Sequence, residues 1–377
     1  MIFGKCNRPG ASIAWLHTVC ALLLTADFIN SQGIEIYYMT AIQKKRIGIT
    51  LGDINGIGAE VVIKALADVR LLNLVTPVLY GSSRAISFYK KQLNIEEFNY
   101  SQVRGRGQFM PKSINVVNSW DDNLEIVPGK ASKETGKAAL AALQQACADL
   151  KEGHIDALVT APIDKHTIHS EEFPFKGHTE FLNGYFGVPQ SLMFMVSDTL
   201  RVGLVTEHIP VRDIAAAVTK ERVEAKLKLM EQSLKKDFGI TKPKIAVLGL
   251  NPHAGDNGLI GSEEESILKP VIADWRNKGK TVFGPLPADG FFAAGSHLKY
   301  DGILAMYHDQ GLIPFKTIAF ENGVNFTAGL PFVRTSPDHG TAYAIAGKNQ
   351  ADEGSMREAI YRANEICRQR NEPSTEK

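Results

Sequence analysis

From Arg46 onward the chain repeats one rhythm: a short unbroken apolar run, a Gly- or Pro-bearing turn, then a stretch of helical periodicity. RIGITL (46–51) ends in GDINGIG and passes into AEVVIKALAD (59–68). PVLYG (77–81) leads to SRAISFYKKQL, INVVN (114–118) precedes a helix predicted from Lys133 to Lys151, and ALVTAP (157–162) precedes IDKHTIHS. LRVGLVTEH (200–208), KIAVLGLNPH (244–253) and GILAMYHDQG (302–311) continue the pattern. Helices are predicted at 220–238 and 262–278, the second opened by Ser262 with acidic residues in its first turn. Strands that are apolar from end to end are covered by helices on both faces, so the expected class is α/β with a parallel sheet. SQVRGRGQFMPK (101–112) reads as a loop, and SPDHGTA (336–342) as the opening of a helix.

A length of 377 residues allows two such domains. A net charge of +1 lacks the electrostatic footprint of a dedicated nucleic-acid binder, and 44% hydrophobic residues excludes disorder. Cys6, Cys20, Cys147 and Cys367 show no CxxC spacing, so neither a zinc knuckle nor a disulfide framework is expected; a reducing, cytoplasmic setting fits. Near the start, Lys5 and Arg8 precede an apolar run from Ile13 to Ala26 that His17 interrupts and Asp27 ends. It has the pattern of an export signal and is too short to span a membrane. The favoured reading is that Met39 begins the working chain, with 1–44 an N-terminal extension, over export of the protein; no membrane partner is expected.

Three apolar runs end in histidine: His208, His253 and His308. Ligands of open α/β sheets bind beyond the carboxyl ends of strands, where three neutral imidazoles would suffice for a catalytic divalent metal with open positions. A single strand-end histidine is more often an isolated polar residue; three in one context reverse that preference. NPHAGDNGLIG (251–261) surrounds His253 with residues suited to backbone held close to a ligand, and Asp309 beside His308 could orient its ring or serve only as a turn residue. In FKGHTEF (175–181), His178 and Thr179 stand at a helix start suited to an anion, or Thr179 is merely a cap. Lys316, Asn325 and Arg334 are polar residues among apolar and Gly-rich neighbours, suited to carboxylate or phosphate; taken alone, they read by default as unrelated surface polar residues. GDINGIG lacks the spacing of a dinucleotide fingerprint.

With these residues assembled, the chain resembles the 4-hydroxythreonine-4-phosphate dehydrogenase family of pyridoxal phosphate biosynthesis from about Arg46 to about Arg368. FKGHTEF, TEHIPVRDI, LNPHAGDNGLIGSEE, GPLPAD, AMYHDQGL and GLPFVRTSPDHGTA recur there in the same order. The resemblance implies two α/β/α domains of isocitrate/isopropylmalate dehydrogenase type with a cleft between them: 45–165 plus about 335–370, and 166–334. It implies a homodimer with the active site at the subunit interface, and NAD or NADP bound without the usual fingerprint. One divalent metal (Zn, Mg or Co) would sit on His208, His253 and His308. His178, Thr179, Lys316, Asn325 and Arg334 would contact a small phosphorylated hydroxy amino acid, with His178 also a proton relay and Asp289 of GPLPAD a further catalytic carboxylate.

The implied reaction is oxidation of 4-phosphohydroxy-L-threonine, followed by decarboxylation, on the route to pyridoxine 5'-phosphate. Three segments depart from the family's commoner pattern. GDINGIGAE stands for Pro-Ala-Gly-Ile-Gly-Pro-Glu, APIDK for a Gly-Pro-Val-His-Lys type, and Gly290 for a frequent Thr. Threonate or erythronate 4-phosphate therefore stay open as substrates. A three-histidine metal hydrolase would use the same ligands to activate water, and a non-catalytic metabolite-binding module is the remaining alternative.

Overall fold

The computed structural model describes residues 44–121, 123–293 and 295–371; Met39, Cys6, Cys20 and the signal-like run lie outside the described residues. Its strands are β1 (Lys45–Thr50), β2 (Val75–Gly81), β3 (Tyr100–Gln102), β4 (Ile114–Asn118), β5 (Ala157–Thr160), β6 (Leu192–Val196), β7 (Arg201–Leu204), β8 (Ile245–Leu248), β9 (Val282–Leu286), β10 (Gly302–Ala305), β11 (Val324–Ala328) and β12 (Val333–Pro337). The main helices are α1 (Gly58–Ala67), α2 (Ser83–Gln92), α3 (Lys133–Lys151), α4 (His178–Phe186), α5 (Lys220–Lys236), α6 (Lys269–Asn277), α7 (His308–Ile318) and α8 (Gly354–Asn371). The fold is α/β, built on one twelve-stranded sheet of order β3-β4-β2-β1-β5-β12-β11-β6-β7-β10-β8-β9.

Apolar runs become strands buried on both faces, as in β2 and β6, where every residue is buried. Ser132 and Thr219 fix the starts of α3 and α5 by accepting hydrogen bonds from the N–H groups of Thr135 and Arg222. The sheet is mixed rather than wholly parallel: β11 runs antiparallel to β12 and β6, and β6 to β7. The cause is chain length, since the links at 197–200 and 329–332 are too short for a crossover and join only antiparallel neighbours. Ser101 and Gln102, expected in a loop, pair with β4 as part of edge strand β3.

Two further expectations are corrected. SPDHGTA does not open a helix; α8 starts only at Gly354. The intervening backbone is used elsewhere: the Thr341 carbonyl accepts the Ile57 N–H at 2.9 Å and the Tyr343 hydroxyl donates to buried Asp53 at 2.8 Å. Thus the GDINGIG turn is tied to this segment by a carboxylate that also accepts from Thr135. The helix predicted at 262–278 begins with a π-helical turn (Glu264–Leu268), which lets the Glu264 carboxylate turn back under the preceding loop. Among the described residues no helix is long and apolar enough to cross a membrane, and Cys147 and Cys367 are buried free thiols.

Candidate functional site

Strand register places Thr160, Arg334, Ser336, Asn325 and Thr327 on one face of the central sheet, because Arg334 pairs with Leu158 and Asn325 with Ser336 and side chains alternate. The start of α4, the β12 to α8 segment and α7 close over that face and leave a cavity of about 310 Å³. Five residues singled out from the sequence, His178, Thr179, Lys316, Asn325 and Arg334, line it, and so does His208. Lys165, Lys176, Glu180 and His339, which no sequence pattern singled out, line it too. The signal for them was adjacency: they lie in APIDK, FKGHTEF and SPDHGTA, beside residues already singled out.

Arg334 is 3% exposed, and its guanidinium donates to the hydroxyls of Thr160 (2.6 Å) and Thr327 (3.0 Å). Among the described residues no carboxylate pairs with it, and burial pushes its pKa down to about 10. A buried cation held by neutral hydroxyls is under-compensated, so the site favours an anion. Helix α4 reinforces this: its N-cap is Gly177, with no side-chain cap, so its first N–H groups remain available. Lys316 is offset by Asp338 at 3.1 Å. Oδ1 of Asn325 and Nε2 of both His178 and His339 are buried without a hydrogen-bond partner, three polar atoms awaiting a ligand.

Burial, reinforced by the charges of Arg334 and Lys165, holds the His178 imidazole well below its ordinary value. In the unfolded chain that group titrates near 6.5. Between the two values the unfolded state binds more protons, so stability falls as the pH drops below the ordinary histidine value. Calorimetry from about pH 7.5 to about pH 5.5 should give a melting temperature that falls more steeply for the wild type than for His178→Asn. Parallel slopes would show that His178 is not buried as a neutral ring.

The three histidines follow β7, β8 and β10, which are neighbouring parallel strands with β10 between the others. The rings of His208 and His308 lie 5.6 Å apart between centroids. Nδ1 of His308 is 2.8 Å from the Asp309 carboxylate, an arrangement that fixes the tautomer and leaves Nε2 free. Burial lowers the His208 pKa and so favours the neutral ring. This donor chemistry fits a divalent ion. His253 lies on the adjacent loop and does not line the cavity. Among the described residues, the group of three ligating side chains with donor atoms within 4.8 Å of one another is Asp149, Glu152 and His154, so the three site histidines stand farther apart. In that other group Arg106 already neutralises Asp149 and Glu152. Asp289 lines a separate cavity with Tyr307, Asp309 and Gln310.

His253 opens six consecutive residues with positive φ, His253 to Gly258, four of them not glycine. Left-handed backbone costs about 1–2 kcal/mol per L-residue, so something must hold it. Fully buried Glu264 anchors the chain where it enters that run: Oε1 accepts the N–H groups of Leu250 and Asn251 at 2.7 Å each, and Oε2 accepts the Asn251 amide at 2.9 Å. Gly255 is required beneath it, because a Cβ there would lie 2.6 Å from Oε2. Glu264→Ala leaves two partly buried N–H groups unpaired and should lower unfolding stability by about 2–4 kcal/mol. Glu264→Gln, whose amide oxygen can still accept, should lose less; equal losses in denaturant melts would refute the clamp.

Comparison with known proteins gives the family of the chain. The family model described as pyridoxal phosphate biosynthetic protein PdxA matches residues 73–363. A protein of Bacteroides thetaiotaomicron named 4-hydroxythreonine-4-phosphate dehydrogenase is 52% identical over 328 residues, covering 87% of this chain and 90% of the relative. One of the same name from Sulfurihydrogenibium is 43% identical, covering 84% of this chain and 96% of its own. The crystal structure of the 4-hydroxythreonine-4-phosphate dehydrogenase of Klebsiella pneumoniae superposes with a TM-score of 0.76 at 35% identity, covering 86% of this chain and 98% of that one. This chain belongs to the family of PdxA pyridoxal phosphate biosynthetic proteins.

Proposed function

We propose that the chain oxidises 4-phosphohydroxy-L-threonine at its C3 hydroxyl, with NAD or NADP as hydride acceptor, in vitamin B6 biosynthesis. The product, 2-amino-3-oxo-4-phosphooxybutanoate, loses carbon dioxide to give 3-amino-2-oxopropyl phosphate. The observation that carries the reading is the buried, carboxylate-free Arg334 facing a small cavity together with His178, Lys165 and the uncapped start of α4. These groups bind phosphate and carboxylate, while Asn325 and Thr179 supply neutral contacts.

Neutral Nε2 of His178 takes the proton that leaves the C3 hydroxyl. In the free protein burial, and after it the charges of Arg334 and Lys165, depress its basicity; an anionic substrate between them offsets the part that those charges contribute. Oxidation leaves a ketone β to the carboxylate. When the C–C bond breaks, its electron pair moves toward the ketone oxygen, and C2 is then protonated. A divalent ion on His208, His253 and His308 would lower the hydroxyl pKa and polarise the carbonyl. Zn, Mg and Co all suit the proposal. The cavity of about 590 Å³ that shares Lys176, Thr179, Glu180 and His208 with the substrate cavity gives the dinucleotide room.

The reading extends to organisation. Residues 45–165 with 335–370, and 166–334, are taken as two lobes facing the cleft. A homodimer is supported by exposed apolar side chains beside the histidines: Leu259 and Ile260 on the His253 loop, and Ile313 and Ile318 on α7. Location in the cytoplasm accords with the free thiols. Purified protein given 4-phosphohydroxythreonine, NAD or NADP, and Mg²⁺, Zn²⁺ or Co²⁺ should reduce the nicotinamide. Folded protein that reduces neither cofactor with any of the metals would overturn the reading.

A further inference from the structure

The substrate cavity is cationic, with Lys165, Lys176, Lys316 and Arg334 in its wall, yet two carboxylates face it as well. Asp338 is accounted for, since it pairs with Lys316 at 3.1 Å. Glu180 is not: its side chain makes no hydrogen bond or ion pair among the described residues, although it lies close enough to attract Arg334 and His208. It stands in the first turn of α4, one residue beyond Thr179 and two beyond His178. An unpaired carboxylate in an anion site repels phosphate and carboxylate, and its presence calls for a positive group on the ligand.

We propose that Glu180 is a specificity-determining residue that pairs with the C2 ammonium of the substrate and so selects a phosphorylated amino acid over the corresponding phosphorylated hydroxy acid. This rests on the dehydrogenase reading above and decides between the substrates that the sequence leaves open. The charge balance supports it. With Lys316 offset by Asp338, three cations remain for a phosphate of charge about −2 and one carboxylate, and the remaining acid matches the one positive group of an amino acid. A hydroxy acid phosphate leaves Glu180 facing a hydroxyl, with an uncompensated negative charge in a partly desolvated cavity. Stabilisation of the α4 dipole by a first-turn acid is the simpler role for this residue, worth about 0.3–1 kcal/mol. That role would alter stability without altering substrate choice.

The test compares kcat/KM for 4-phosphohydroxythreonine and for erythronate and threonate 4-phosphates, in the wild type and in Glu180→Gln and Glu180→Asp, with melting temperatures and Co²⁺ titrations as companions. The wild type should prefer the amino acid by about 10²-fold or more, as expected of a site whose polar group is left unpaired by the wrong substrate. Glu180→Gln should lose about 30-fold or more on the amino acid and lose nothing, or gain, on the hydroxy acids, which no longer meet an uncompensated charge; Glu180→Asp, which keeps the charge, should fall between. Equal loss on all substrates, an unchanged preference, a wild type that prefers the hydroxy acids, or a matching fall in Co²⁺ affinity would each overturn the assignment. A folded wild type that oxidises none of them fails the dehydrogenase reading instead, so the two failures are separable.

Discussion

Methionine in place of Arg334 is expected to lower kcat/KM on the phosphorylated substrate by about 10³-fold, while the ligand-free protein melts no lower than the wild type. The two halves of this result have one cause. A hydrogen bond to a charged group contributes about 1.5–3 kcal/mol, and a guanidinium can make two to one phosphate, so about 3–6 kcal/mol of binding is lost. Without ligand, the same guanidinium is 3% exposed and held only by the Thr160 and Thr327 hydroxyls. Its depressed pKa is the mark of a buried cation that lowers stability at neutral pH. Methionine fills similar volume without the charge, and the gain offsets the two hydroxyls left without a donor. Lysine is not a substitute, because it cannot present the planar fork. Steady-state kinetics and a thermal melt on the same preparations decide it. A clear fall in melting temperature would show that Arg334 holds the fold rather than the substrate.

Much of the scaffold was legible because burial on both faces writes itself into composition. INVVN and the helix from Lys133 to Lys151 are found at their expected bounds. What periodicity does not record is direction: nothing in LMFMV or VNFTA distinguishes an antiparallel strand, and the short links at 197–200 and 329–332 settle the matter. Polar residues among apolar surroundings, such as Arg334 and Asn325, read by default as unrelated surface groups, and only the family resemblance singled them out. His253 shows the limit. Its position after a strand was readable, but the left-handed path of its loop depends on Glu264, eleven residues on, whose role as an acceptor for Leu250 and Asn251 appears only in three dimensions. Glu180 was hidden for another reason: an acid in a first helical turn is ordinary, and only the cations around it make it unusual.

Removal of divalent metal by a chelator should abolish turnover without unfolding the protein, and His308→Ala should do the same in the presence of metal. The sheet explains why folding survives: the histidines stand beyond the ends of β7, β8 and β10, whose residues, Arg201 apart, are buried in packing that owes nothing to an ion. Affinity depends on presentation of the rings. The rings of His208 and His308 already lie 5.6 Å apart between centroids, and Asp309 engages Nδ1 of His308 at 2.8 Å, which leaves Nε2 as the nitrogen for an ion. Asp309→Ala keeps all three imidazoles yet frees that tautomer, and loss of such a partner typically costs 10–100-fold in metal affinity. The expected order of Co²⁺ or Zn²⁺ affinity by calorimetry is therefore wild type, then Asp309→Ala weaker by about that factor, then His308→Ala weaker still. Binding should raise the melting temperature of the wild type as metal concentration rises above Kd and barely move that of His308→Ala. If His308→Ala bound metal like the wild type, the ion would sit elsewhere and the assignment of the three strand-end histidines would fail.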